Sequence, residues 1–175
     1  MKKLIVIFAA GFMVAWAAQV SAFDLAVGAR YSGLGDISKA AGQVSANSGL
    51  FQGEVLIGPL DLAAGYADLG NGYIVYPVTV GIVGKFPVSI VKPYIGADLS
   101  FLFDPNATRI PGFDLFIFTL QPKGGVEVQL GPVGVYGGIG YSFAGIYGTL
   151  AGLSYGGFVP VGLTWEFGGR FYITN

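Results

Sequence analysis

The chain contains neither cysteine nor histidine. Without cysteine there is no disulfide framework. Without either residue the usual zinc ligands are missing, and a serine nucleophile lacks its usual general base. Ser38-Lys39 is the nearest thing to an alternative catalytic pair and reads more simply as two polar loop residues. The reading is therefore of a non-enzyme with no cofactor and no metal. The carboxylates Asp36, Asp68, Asp104 and Asp114 would bind calcium only if loop geometry happened to gather them. Charge is scarce at 11 % of residues, and no basic patch points to nucleic acid. A second long apolar run is also lacking. Beyond the N-terminus, every apolar segment is broken by Gly, Pro or a charge well short of the ~20 residues a membrane helix needs.

What is present is hydropathy in short pieces. Mean hydropathy is +0.65, with 30 glycines, 10 tyrosines and 14 phenylalanines. Residues 1–22 have the form of a cleaved signal peptide: the basic start Lys2-Lys3, an apolar run over 4–18, and the small-x-small site Val20-Ser21-Ala22. The mature chain, 23–175, is expected to be one domain. Without Lys2 and Lys3 it keeps seven of the nine basic residues against ten acidic ones, a net charge of −3.

The clearest pattern runs over 120–143, LQPKGGVEVQLGPVGVYGGIGYSF. Alternate positions separate Leu120, Val126, Val128 and Leu130 from Gln121, Lys123, Glu127 and Gln129. After Gly131-Pro132 the alternation resumes, with Val133, Val135, Ile139 and Tyr141 against Gly134, Tyr136, Gly138 and Ser142. Period-two patterning on both sides of a two-residue break predicts a β-hairpin. The same pattern predicts strands over 23–32, 50–57, 60–67, 73–86, 91–102 and 159–167, the last of which the alternation carries on towards Ile173. With 118–130 and 133–143 these make eight. Connections alternate long and short, the short ones near Gly58, Ser89 and Gly131, as in an up-and-down antiparallel barrel. Glu54-Val-Leu-Ile-Gly-Pro-Leu60 and Glu127-Val-Gln-Leu-Gly-Pro-Val133 repeat one turn chemistry. Pro77, Pro122 and Pro160 fall inside strands and mark bulges or strand ends if the assignment holds. Asn106-Ala107-Thr108 matches a glycosylation sequon and reads as a loop turn.

Eleven charges lie on these strands: Asp24, Arg30, Glu54, Asp61, Lys85, Lys92, Asp98, Lys123, Glu127, Glu166 and Arg170. All share a face with Gly, Ser, Thr or Gln, and none lies on the aliphatic face. A charge on a lipid-facing strand costs roughly 2–4 kcal/mol near mid-membrane, so such exclusion is expected if the aliphatic face meets lipid. Tyr31, Phe51, Tyr66, Tyr76, Phe101, Phe118 and Tyr141 near the long-loop ends, and Phe23, Phe86 and Phe167 near the other, read as two aromatic girdles. A secreted lipocalin-like barrel, with the apolar face turned inward around a ligand, is the soluble alternative.

YPVTVGIVGKFP, VKPYIGADLSF and GGVEVQLGPVGVYGGIGYSF resemble the strands of small eight-stranded outer-membrane proteins of the OmpA, OmpX and OmpW type. The resemblance is one of pattern and covers nearly all of the mature chain. It implies the bacterial outer membrane, contact with its lipid, and insertion by the barrel-assembly machinery. The terminal Phe171-Tyr172-Ile173-Thr174-Asn175 departs from the final aromatic common in that group.

Two sets of residues are candidates for function. Arg30, Glu54, Asp98, Lys123, Glu127 and Glu166 form the expected lumen network, with Asp98 close to Lys123 and Arg30 meeting Glu54 or Glu166. It reads as a paired plug rather than a conducting route. The second set lies in the loops 110–118 and 144–153, which are apolar for exposed loops. There Phe113, Phe116, Ile146, Tyr147 and Leu150 are the expected contacts of a small hydrophobic ligand, which the OmpW resemblance would have released sideways into the membrane. The same stretches also read as strand extensions reaching into the lipid headgroups, or as the contact surface of a structural or adhesive barrel with a plugged lumen.

Overall fold

The computed structural model describes residues 24–33, 35, 49–68, 74–86, 88–103, 113–150 and 153–174, without the side chains of 113–116 and 146–155. The expected signal peptide at 1–22, Phe23, most of the loop at 33–48, Ser38-Lys39, the centre of the turn at 68–72 and the sequon at Asn106 lie outside the described residues.

Eight antiparallel strands close into a barrel in sequence order: β1 (Leu25–Gly33), β2 (Gly49–Ile57), β3 (Leu60–Asp68), β4 (Ile74–Lys85), β5 (Val91–Phe103), β6 (Phe113–Leu130), β7 (Val133–Leu150) and β8 (Leu153–Tyr172). β1 pairs with β8 from Ala26↔Tyr172 to Ser32↔Glu166, which leaves no edge over that span. The repeated Gly-Pro pairs make the two-residue turns β2–β3 and β6–β7, with φ +58° at Gly58 and +59° at Gly131. Glycine at the first turn position matches the twist that tight hairpins need.

Nine-residue strands such as β1, β2 and β3 are the length that crosses a bilayer at a tilt. β6, β7 and β8, with 18, 18 and 20 residues, are far longer. The β5–β6 ladder stops at Leu102↔Ile117 and the β1–β8 ladder at Ser32↔Glu166. Among the described residues, the upper parts of β6, β7 and β8 thus pair only with one another, as a three-stranded sheet. This corrects the assignment of 110–118 and 144–153 as loops: Phe113↔Leu150, Phe116↔Tyr147 and Ile117↔Ile146 are strand partners. Their apolar alternation belongs to a sheet, and the sequence offered no turn residue to separate it from the strands below.

The apolar face points out. Val80, Val126, Val135, Ile139 and Leu163 are exposed, while Arg30, Glu54, Asp61, Asp98, Lys123, Glu127, Glu166 and Arg170 are buried inside. This overturns the lipocalin-like alternative, which needs the opposite arrangement. The outer wall also shows ordered rows. Phe167, Tyr31, Phe51 and Tyr66 are successive cross-strand partners. Phe167 was expected at the short-turn end. β8 continues five residues past it to Tyr172, and the closure register sets it opposite Tyr31, with ring centroids 5.6 Å apart.

Of the four prolines inside strands, Pro93 pairs with Val126 in an unbroken ladder, and the other three sit at irregularities. β3–β4 pairing skips from Ala64↔Val78 to Ala67↔Val75 around Pro77. β6–β7 pairing skips from Leu120↔Phe143 to Lys123↔Gly140 around Pro122. On β8 the partners pass from Gly162, opposite Ser142, to Pro160, opposite Phe143, so Val161 is an extra residue. Proline has no N–H for the ladder. Gly162 takes φ +127°, which an L side chain rarely adopts. The bulge reverses the alternation of β8. Val161, expected on the apolar outer face, is instead fully buried inside, and Phe158 and Pro160 above it face out.

Candidate functional site

Inward glycines make the lumen network possible, because each leaves room for side chains on its flanks to meet. Tyr94, Gly125, Gly138 and Glu166 lie in one row across β5, β6, β7 and β8. The Tyr94 ring crosses both glycines and donates its hydroxyl to Glu166 at 2.7 Å. Arg170, Gly28 and Glu54 form another row, in which Arg170 binds Glu54 through Nε at 2.8 Å and Nη2 at 3.1 Å. Tyr136 donates to the same glutamate at 2.8 Å, and the Arg170 guanidinium sits 4.1 Å from the Tyr136 ring centroid.

These rows join into one lattice. Arg170 also reaches Glu127 at 3.4 Å and Asp61 at 3.3 Å. Lys85 pairs with Glu127 at 3.0 Å, and Tyr172 bonds both of them. Lys123 bridges Glu166 at 2.8 Å and Asp98 at 2.9 Å. Arg30 bridges Asp98 at 3.0 Å and Asp61 at 3.2 Å and donates to Gln52 at 3.0 Å. A neutral layer follows, in which Gln52 donates to Thr79, Thr79 bonds Ser100, and Gln121 donates to Thr164. Above it lies an apolar floor of Leu50, Ala67, Val75, Ala144 and Val161, with Leu102 against it. Taking one charge out of water costs several kcal/mol, so such a lumen holds together only through mutual pairing. Each charge in this lattice has a partner, which makes the lattice a stopper across the axis.

The six residues singled out for the lumen are all present in the lattice, and Asp98 lies against Lys123. The expected partners of Arg30 were wrong. Arg170 takes Glu54 across Gly28, Lys123 and Tyr94 take Glu166, and Arg30 is left with the two aspartates. Arg170, Asp61, Lys85, Tyr94, Tyr136 and Tyr172 were not singled out. Inward parity opposite a glycine was the signal that could have found the tyrosines. The repeated Glu-x-x-x-Gly-Pro unit held a further signal: it sets Glu54 and Glu127 at equal distances from their turns, and Arg170 receives both. Asp24, just before β1, is half-buried with Lys85 at 3.8 Å, and Lys92 bonds Gln129 at 2.5 Å. Among the described residues no group of three or more metal-ligating side chains gathers.

The second notable place is the wall at Ser142. β7 is irregular on both flanks here: pairing towards β6 is interrupted at Pro122, and pairing towards β8 shifts register by one residue at the bulge while Ser142 stays opposite Gly162. Inside, Ala144 and Val161 of the apolar floor adjoin it. Outside, Tyr141 and Phe143 stand 5.0 Å apart, and Phe143 stacks on Phe158 at 5.5 Å. The Ser142 hydroxyl is buried without a hydrogen-bond partner. The side chains of Phe113, Phe116, Ile146, Tyr147 and Leu150 lie outside the described ones, and their backbones belong to the sheet above this point.

No protein-family model and no curated protein matches the chain. Among solved structures it is similar to the outer membrane protein AlkL, determined by solid-state NMR in DMPC lipid bilayers. Identity is 14 % over 87 % of this chain and 91 % of that one, with a TM-score of 0.47. It is also similar to the crystal structure of Neisserial surface protein A, with 20 % identity over 85 % of this chain and 96 % of that one, and a TM-score of 0.41. Both are small outer-membrane barrels, the type that the strand pattern resembles. At these values the likeness concerns the outline of the fold and says nothing of the lumen.

Proposed function

We propose that this is a non-enzymatic barrel of the bacterial outer membrane that takes up small apolar molecules at its long-connection end and passes them sideways into lipid through the wall at β7. The observation that carries the reading is the ladder gap on the β6 side of Ser142 together with the bulge on its β8 side. A strand unpaired on one flank and bulged on the other is the cheapest place to part a closed sheet, since fewer backbone bonds must break. The gap lies beside the apolar floor and behind an aromatic outer patch, so an apolar solute stays among apolar side chains on both sides. The charged lattice blocks the alternative path along the axis. Lipid wets the outer wall, and the barrel-assembly machinery inserts the chain.

Absence of cysteine from the native sequence makes the test clean. Ala144 and Val159 are cross-strand partners just above the bulge, so an Ala144→Cys/Val159→Cys variant can form a disulfide that clamps the β7–β8 flank. Uptake of an apolar solute into liposomes should fall to the level of protein-free liposomes when the variant is oxidised and recover on reduction. Unchanged uptake in the clamped form removes the lateral exit. If the unmodified protein shows no uptake above bare liposomes, the conduit reading fails and a structural or adhesive barrel replaces it. Folded and boiled samples should also migrate differently on a detergent gel, because a closed barrel pairs its backbone internally.

A further inference from the structure

We propose that the lumen holds one small monovalent cation, bound between Asp61 and Asp98 in the gap above Gly81. Asp61, Gly81 and Asp98 are successive partners across β3, β4 and β5. The arrangement is that of Arg170–Gly28–Glu54, where an inward glycine separates two charged side chains. There the flanking groups have opposite signs and bridge the gap themselves. Over Gly81 both are carboxylates.

Three observations converge on an occupant. First, Asp61 and Asp98 each use Oδ2 for the lattice, while Oδ1 of each is buried with no hydrogen-bond partner. The residues are 0 % and 4 % exposed, so bulk water does not reach those atoms. A buried, unanswered carboxylate oxygen is among the costlier features a protein interior can hold. Second, the gap over Gly81 lies between the two carboxylates in the register. The Asp98 Oδ1 atom stands where a side chain at Gly81 would begin. The β2 side of Asp61 is filled by its partner Leu56, fully buried. Arg30 Nη1 touches both Oδ2 atoms, at 3.2 and 3.0 Å, which holds the two carboxylates side by side. Third, charge in the described lumen does not balance. Glu54, Asp61, Asp98, Glu127 and Glu166 are buried against Arg30, Lys85, Lys123 and Arg170, which leaves one negative charge over. With Arg30, Lys123 and Arg170 already against these carboxylates, the site tolerates one further positive charge more readily than two, which favours a sodium- or potassium-sized ion over a divalent one.

The test uses the whole mature protein, refolded separately into detergent in sodium, potassium or N-methylglucamine chloride at one ionic strength, so that any site fills or stays empty during folding. N-methylglucamine is too large for the gap. The midpoint of thermal unfolding should be at least ~5 °C higher in the sodium or potassium sample, as expected for a ligand that binds only the folded state. Asp98→Asn should remove the difference by taking away one ligand charge. Gly81→Ala should remove it by filling the gap, and it supplies the answer if Asp98→Asn does not fold. Equal midpoints for the unsubstituted protein in all three salts, which would mean that water alone fills the gap, overturn the proposal. So does a cation dependence that survives in both variants.

Discussion

Towards the short turns the lumen is filled by charges that answer one another, and towards the long connections it is lined by small apolar side chains behind a wall with gaps. The lower region spends its glycines on side-chain crossings: Gly28, Gly125 and Gly138 each lie beneath a partner pair. The upper region uses Gly162 and Pro160 to break the ladder. One residue type therefore serves closure below and looseness above. The contrast suggests that stability is concentrated in the charged layer and that conformational freedom is left to β7 and its flanks.

The sharpest way to break the contrast is to remove a centre of the lower lattice. Arg170 holds Glu54, Glu127 and Asp61 at once. Arg170→Ala should cost about 3–5 kcal/mol, because three carboxylates lose a buried cation together. Urea unfolding of the refolded barrel measures this. Apolar uptake by the fraction that stays folded should be unchanged, since the lattice is off the proposed path. A loss below 1 kcal/mol would mean that water reaches the lattice and that it is not a dry stopper.

The next effect tests the outer wall. Val80 lies outward at mid-strand on β4, and Tyr76 lies outward near its long-connection end. In lipid vesicles Val80→Arg should cost about 2–4 kcal/mol and Tyr76→Arg about 0–1. Equal costs at the two positions would place the lipid boundary elsewhere. Smaller again is the filling of a crossing. A side chain at Gly138 would meet the Tyr94 hydroxyl. Gly138→Ala should therefore cost about 1–3 kcal/mol through overpacking and loss of the Tyr94–Glu166 bond.

These expectations rest on features that the sequence showed unevenly. Strand number, closure and the inward placement of charge were all legible, because period-two alternation ties each residue to a face and lipid tolerates no charge on one of them. The members of the lattice were legible as a set. Their pairing was not, because partners such as Arg170 and Glu54 meet across Gly28, two strands apart, and the closure register between β1 and β8 has no local sequence signal. Parity failed at Val161 for a related reason: one extra residue reverses a strand, and only Pro160 and Gly162 hinted at it. The apolar stretches beyond Phe118 and Phe143 kept their alternation without a break, and length alone made them look like loops.

The finest test falls on Ser142, where the two regions meet. Its hydroxyl is buried and unpartnered in the closed wall, which costs free energy that Ser142→Ala would remove. The substitution should therefore stabilise the closed barrel by up to about 1 kcal/mol. If β7 parts from its neighbours during passage, the freed backbone groups would give the hydroxyl partners in the open state only. Alanine then stabilises the closed state alone, and opening should slow by up to about five-fold, the factor that 1 kcal/mol carries. Amide exchange at Tyr141 and Phe143 should slow in step with apolar uptake, while exchange on β2 and β3 stays as it was. If uptake slows without any change in exchange, Ser142 acts on the solute and not on the seam. If neither changes, the gap at Pro122 and the bulge at Val161 are fixed features of a wall that does not open.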